Sequence, residues 1–242
     1  TGYVTLSWST PGDDGWNNAL DPESKYIIDY STYSIQWSTA TYDLDVSTSG
    51  VAPHTQVSHK ITGLTGDTTW YFRIWTADDA SNWSGLSNGA TVWVNPIISV
   101  SISTDTYSFG TIECATSTVS ASTITVTNDG NVTETYSIKC SSTTKWTPQD
   151  TPGANEFTLQ SAFHSGQPAD DDLAWKTDDI LTESLQACTT AVFSIDGTEH
   201  GKNVPPFDGD IKKLWFRLKT PLSTSTTDQQ TISITISAEQ SP

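Results

Sequence analysis

Three aspartates in a row, Asp170-Asp171-Asp172, followed by Asp178, are the residues in this chain best suited to chemistry with a metal ion. Clustered carboxylates on a loop suit Ca²⁺, which takes six to eight oxygen ligands. Asp208-Gly209-Asp210 offers a second, smaller acidic place. Neither spacing is that of an EF-hand loop, and an acidic loop that is simply solvated is the plainer reading of both.

Catalytic chemistry has less to draw on. The four histidines, His54, His59, His164 and His200, are scattered, and the chain contains no G-x-S-x-G, H-E-x-x-H, Walker or dinucleotide-binding pattern. The expectation is a protein that is not an enzyme and needs no cofactor beyond the Ca²⁺ those aspartates would hold. Cys114, Cys140 and Cys188 have no metal-ligand spacing. Cys140 and Cys188 sit in strand-like runs and are the pair expected to form a disulfide, the alternative being three small buried thiols. Asn82-Trp83-Ser84 and Asn131-Val132-Thr133 are glycosylation sequons, which place Asn82 and Asn131 on the surface if they are used.

A different chemistry is concentrated in Ile211 to Lys219, reading IKKLWFRLK, which holds four of the eleven basic residues. Strand alternation sends Leu214, Phe216 and Leu218 to one face and Lys213, Trp215, Arg217 and Lys219 to the other. Two readings stand side by side: an exposed face whose charges discourage aggregation, or an intersubunit contact in which this row meets an acidic loop of a neighbour with Trp215 as anchor.

The elements that must carry these groups are strands. Hydrophobic residues make up 35% of 242, Met is absent, and hydroxyl and β-branched residues abound, as strands prefer. The net charge of −17 disfavours nucleic acid and anionic membrane surfaces as partners. No apolar run is long enough to span a bilayer, and Thr1 reads as a processed or truncated start. The fold class expected is all-β: two tandem β-sandwiches, residues 1–95 and 96–242, joined at Val94-Asn95-Pro96, the second with an irregular acidic insertion near 166–187.

In the first region, strands are expected at Tyr3 to Trp8, Lys25 to Tyr30, Ile35 to Trp37, Tyr42 to Val46, Thr55 to Ile61, Trp70 to Ala77 and Ala90 to Val94. Leu6-Ser7-Trp8, Tyr26-x-Ile28-x-Tyr30, Leu64-x-Gly66-Asp67-Thr68 with Trp70-x-Phe72-Arg73-Ile74, and Asn82-Trp83-Ser84-Gly85 with Ser87 together resemble a fibronectin type III domain over residues 1 to 95. The resemblance implies a sandwich in which Tyr3 to Trp8 corresponds to the family's second strand, so the first is absent. A cleaved or unrecorded strand is one account of that gap, and a strand donated by another copy is the other. Where the family has the Tyr of its tyrosine corner this chain has Trp70, whose indole donates a hydrogen bond and cannot accept one.

In the second region, alternation marks Ile98 to Ile102, Tyr107 to Ile112, Thr123 to Thr127, Tyr136 to Cys140, Phe157 to Phe163, Thr190 to Ile195, Ile211 to Lys219 and Thr231 to Ser237, with one helical turn across Ile180 to Leu185. Phe109-Gly110-Thr111-Ile112, followed by Ile124-Thr125-Val126-Thr127-Asn128-Asp129-Gly130-Asn131, resembles the opening of immunoglobulin-like domains of bacterial surface proteins, and more faintly the fibre-forming matrix proteins of the TasA type. The missing first strand, the proline-stiffened connector, the hydroxyl-rich strands and the basic row are together accounted for by a secreted or cell-surface structural subunit of a filament, tube or layer, whose partners are other copies of itself through strand edges near Tyr3 and Val4. The alternative is an adhesin or carbohydrate-binding module that stacks glycans on Trp16, Trp37, Trp75 or Trp83.

Overall fold

The computed structural model describes residues 2–48, 50–207 and 211–242. Asp208-Gly209-Asp210, the second acidic place, lies outside the described residues. The described residues are almost entirely strands and loops, with one 3₁₀ turn at Thr177–Asp179. The chain divides into two compact units, Thr1–Ile97 and Ile98–Pro242.

The described residues of unit 1 form six strands: β1 (Tyr3–Ser9), β2 (Lys25–Ser31), β3 (Leu44–Ser47), β4 (Gln56–Thr62), β5 (Thr68–Ala77) and β6 (Ala90–Val94). They form a two-stranded sheet, β1-β4, and a four-stranded sheet, β3-β2-β5-β6, with every pairing antiparallel. Period-two alternation gives each sheet an apolar inner face, and the larger sheet also carries Ile27 and Trp75 buried on its outer side. Leu6, Ile28, Ile61, Leu64, Phe72 and Val94 are buried where the two faces meet, with Val4, Trp8, Tyr30, Val46, Trp70 and Ile74 around them. This is the β-sandwich that the resemblance to fibronectin type III implies.

Ile35 to Trp37 is not a strand. The segment 32–43 crosses the outer face of the larger sheet, and the Trp37 ring sits beneath the Arg73 guanidinium at 6.0 Å. A ring that packs on a cation across a sheet face does not need a ladder.

Unit 2 holds β7 (Val100–Ile102), β8 (Ser117–Val119), β9 (Ile124–Asn128), β10 (Glu134–Cys140), β11 (Thr147–Pro148), β12 (Glu156–Phe163), β13 (Gln186–Ala187), β14 (Lys212–Lys219) and β15 (Ile234–Gln240). One sheet runs β11-β12-β14-β9-β7 with β8 also pairing β14, and the other runs β13-β10-β15. Between them are buried Val126, Tyr136, Ile138, Phe157, Leu159, Phe163, Leu214, Phe216 and Leu218. The unit is a second all-β sandwich.

Two segments expected as strands are not. Tyr107 to Ile112 has no strand pairing; Phe109 and Ile112 plug the core while the Tyr107 hydroxyl accepts the Ala121 N–H at 2.6 Å. Thr190 to Ile195 is interrupted by Phe193, whose φ of 59° is left-handed and cannot continue an extended run. The helical turn lies at Thr177–Asp179, a few residues before the place expected.

Candidate functional site

The row of Ile211 to Lys219 does meet an acidic loop, and the loop is its own. Strand β14 is internal to its sheet: β12 pairs along one edge, and β9 and β8 share the other. Leu214, Phe216 and Leu218 face the main core, as alternation requires. The opposite face is covered by the segment 164–180, which lies across it as a strap. Trp175, 2% exposed, packs with Ala162 and Trp215 in a small second core.

The strap is fastened by polar groups at both ends. The Trp215 indole donates to the His164 carbonyl at 2.9 Å, and the Trp175 indole donates to the Ala169 carbonyl at 2.9 Å. Gln160 donates to the Lys176 carbonyl at 2.7 Å, and Lys176 Nζ donates to the Ile195 carbonyl at 2.9 Å. Between them Arg217, 4% exposed, donates from Nε to Asp170 Oδ1 at 2.6 Å and from one terminal nitrogen to Asp172 Oδ1 at 2.7 Å. Lys219 also reaches Asp172 Oδ1 at 2.7 Å. Lys219 and then Arg217 hold the Asp172 carboxyl down at about 2.

This arrangement corrects two expectations. Trp215 and Arg217 are buried by their own chain, and Lys219 is committed to Asp172, so they are no row offered to a neighbour. Lys213, which is exposed, donates to the Ser165 carbonyl at 3.2 Å on the same strap. The aspartates are likewise not arranged for Ca²⁺. Asp170 and Asp172 turn toward cationic side chains, and Asp171 Oδ1 accepts the Leu173 and Ala174 N–H groups, at 3.0 and 2.8 Å. Asp178, in the 3₁₀ turn, has no part in the Arg217 cluster.

Among the described residues, the group of three carboxylates that converges within 4.8 Å is instead Asp13, Asp78 and Asp79, from the β1–β2 and β5–β6 loops. Desolvation first, and then the charges of Asp21, Asp79, Asp14 and Asp78, push the Asp13 carboxyl up. Asp78 is already engaged: its two oxygens accept the Asn82 backbone N–H at 2.6 Å and the Asn82 side-chain amide at 2.8 Å. That second bond occupies the nitrogen to which a glycan would attach at the first sequon. Asn131 of the other sequon is fully buried, so the folded chain does not offer it for modification.

Cys140 and Cys188 are free, buried thiols, which corrects the expected disulfide. In the β10–β13 register Ser137 faces Ala187 and Ile138 faces Gln186. Cys188 therefore falls level with Tyr136, four residues along the strand from Cys140, or about 13 Å away. A disulfide needs Cα atoms within about 7 Å. Burial pushes the Cys140 thiol up to about 11 and the Cys188 thiol up to about 12. Cys114 is exposed.

In unit 1 two surfaces stand out. On the two-stranded sheet, β1 pairs with β4 alone, and its other edge has no backbone partner among the described residues. Its sequence, YVTLSWS, contains no charge and no proline. Tyr3 is 58% exposed beneath Lys60 Nζ, which lies 3.9 Å from the ring centre, while Val4 packs on the core. On the larger sheet, alternation sends Tyr71 and Trp93 to the outer face. Tyr71 is 39% and Trp93 53% exposed, and in the register Tyr71 opposite Thr91 and Trp93 opposite Thr69 they are diagonal neighbours.

The four tryptophans considered for glycan stacking fare differently. Trp75 is buried. Trp37 lies against Arg73, Trp83 has Lys25 Nζ 6.0 Å above its ring, and Trp16 is exposed but stacked on His54 with centroids 4.7 Å apart. Trp93 escaped the sequence reading because a single aromatic on a short strand has no pattern of its own. Its exposure follows from its parity relative to Val92 and Val94, which pack on the core.

No family model and no curated protein matches the chain. Among solved structures it is similar to the FN1-FN3 domains of chicken CNTN1, at 11% identity and a TM-score of 0.26, over 96% of this chain and 62% of that one. It is also similar to the alpha-L-rhamnosidase from Dictyoglumus thermophilum, at 10% identity and a TM-score of 0.22, over 99% of this chain and 28% of that one. The chain thus spans less than two thirds of the length of either. Overlap this loose carries no argument about function. No helix of the described residues is long and apolar enough to cross a membrane.

Proposed function

We propose that the chain is a structural subunit of an extracellular filament, tube or surface layer, assembled from copies of itself by strand addition at β1. The observation that supports this most is the undefended edge of that strand. Proteins ordinarily blunt a free edge with charge, proline or a bulge, and β4 carries His59 and Lys60. Strand β1 carries none of these. A sheet of two strands is also marginal by itself, so a third strand laid along β1 would complete it as well as link subunits. The reading gives the chain no catalytic step and places it outside the cell or on its surface.

The test is the size of the intact chain against concentration, with negative-stain microscopy of the same samples. Ordered polymers or discrete oligomers are expected for the wild type. Thr5→Lys with Ser7→Lys, both exposed side chains on β1, should return the protein to monomer with its fold kept. A wild type that stays monomeric at every concentration with unit 1 intact would remove the reading.

A second reading, a glycan-binding or adhesive module, draws support from Tyr71 and Trp93. Exposed rings side by side on a sheet face suit stacking against sugar rings. Here Trp93→Ala should abolish glycan binding while leaving assembly unchanged, which separates the two readings.

A further inference from the structure

Asp29 stands on the outer face of the four-stranded sheet, level with Arg73 on β5. An ion pair would be the ordinary outcome, yet the guanidinium turns away, donating to the Ser87 carbonyl at 3.0 Å and lying over Trp37. What meets Asp29 instead is Asp43, at the far end of the segment 32–43 that joins β2 to β3. Asp29 is 5% exposed, and its Oδ2 has no hydrogen-bond partner. Around the pair are donors: the Ser38 and Tyr30 N–H groups point to Asp29, and Asp43 Oδ2 accepts the Tyr30 N–H at 2.8 Å.

Two ionised carboxylates in contact, one of them buried and the other at the surface, repel one another. A single proton between them turns that repulsion into an O–H···O bond and supplies the donor that Asp29 Oδ2 lacks. Burial first, and then Asp43, push the Asp29 carboxyl up to about 6. The remaining charged or titratable groups nearby do not neutralise it. Lys25, on the same face of β2, is committed to Asp45 of β3 at 2.9 Å, and Arg73 is committed as above. Tyr71 and Tyr33 are exposed phenols, Tyr42 donates to Asp45, and the Tyr30 hydroxyl, on the inner side, is pushed up by burial and then by Asp43.

We propose that Asp29 and Asp43 form a proton-operated latch: with one proton shared between them the segment 32–43 is closed on the sheet, and release of that proton to solvent loosens it. Direction follows from linkage. A carboxyl raised above its ordinary value of 3.8 favours the closed form fully below that value, and the advantage is lost as pH rises from about 4 through about 6. The segment carries Trp37, whose ring lies 6.0 Å from the Arg73 guanidinium on the outer face of the sheet, so loosening it alters the face that bears Tyr71 and Trp93.

Amide hydrogen exchange on the intact chain tests the latch. Protection of residues 32–43, corrected for the intrinsic exchange rate at each pH, should be at least about tenfold higher at pH 4.5 than at pH 7.5, one pKa unit being a factor of ten. Asp43→Asn should abolish the difference, since the amide donates to Asp29 at both pH values and its oxygen still accepts from Tyr30. Asp43 is exposed, so the variant is expected to keep its fold, which unchanged protection of the β5 amides verifies. Equal protection at both pH values in the wild type, or an undiminished difference in Asp43→Asn, overturns the proposal.

Discussion

Replacing Arg217 by Met tests whether the strap of residues 164–180 is fastened from beneath. The substitution keeps most of the buried stem and deletes two charge-assisted hydrogen bonds, to Asp170 and Asp172, together with longer ones to Ser117 Oγ at 3.0 Å and Gln160 Oε1 at 3.3 Å. Each such bond contributes about 1.5–3 kcal/mol, but the aspartate side chains are 35% and 75% exposed and regain water when abandoned. The expected loss is therefore about 2–4 kcal/mol for unit 2. The reverse deletion should be worse. Asp170→Asn with Asp172→Asn leaves a guanidinium at 4% exposure, which water cannot reach without moving the strap. Two assays read the outcome: urea unfolding followed by the fluorescence of Trp175 and Trp215, and limited proteolysis at Leu173, which is 89% exposed on the strap. The order wild type, Arg217→Met, double aspartate variant should hold in both. If both variants stay within about 0.5 kcal/mol of wild type, or the aspartate variant is the milder, the strap is held by its tryptophans and the electrostatic argument fails.

Trp70 donates from its indole to the Thr65 carbonyl at 3.0 Å, so Trp70→Phe should lower the urea midpoint of unit 1 by the equivalent of about 1 kcal/mol and Trp70→Tyr should largely restore it; equal loss in both would show that ring volume, not the bond, matters. Native protein should react with a thiol reagent at Cys114 at once and at Cys140 and Cys188 only on unfolding, and mass spectrometry that finds the latter two bridged would contradict the register of β10 and β13. Asp179, fully buried and accepting the Lys176 and Ser194 N–H groups at 2.9 and 3.2 Å, is pushed by burial up to about 6. Its contribution to unit 2 is complete below 3.8 and lost as pH rises from about 4 to about 6, so Asp179→Asn should flatten thermal stability across that window.

What was legible in the sequence was whatever alternation alone decides. The two faces of β5 and of β14 were assigned by parity, and parity does not depend on partners. What alternation does not carry is a partner distant in sequence. The basic row of β14 reads as an exposed face or as a contact with an acidic loop of a neighbour because nothing in a linear string says that residues 164–180 fold back across β14. The same acidic run looked like a calcium loop because carboxylates that neutralise arginine and carboxylates that bind a cation have the same letters. Ile35 to Trp37 and Tyr107 to Ile112 have the period of strands, but their apolar side chains are used singly, one against a guanidinium and the others as plugs in a core. Propensity describes a pleated surface and does not supply the neighbour. The shift of Asp29 lay beyond pattern altogether, since its partner Asp43 is brought alongside by the return of β3.

The position of β14 in unit 2 also governs when that unit can form. Its hydrogen-bonded neighbours are far upstream: Arg217 bonds Ser117 100 positions earlier, and Leu218 pairs with Thr118. Sheets closed by such distant pairings fold slowly, because the chain's freedom is lost before the contacts that offset it are made. As the chain leaves the ribosome, β9 and β12 emerge with their apolar faces uncovered and wait for β14, and the strap waits in turn for Trp215 and Arg217. The interval between synthesis of Phe163 and synthesis of Lys219 is thus the period in which this unit is most open to misassembly, a kinetic consequence of placing the central strand of a sheet near the end of its unit.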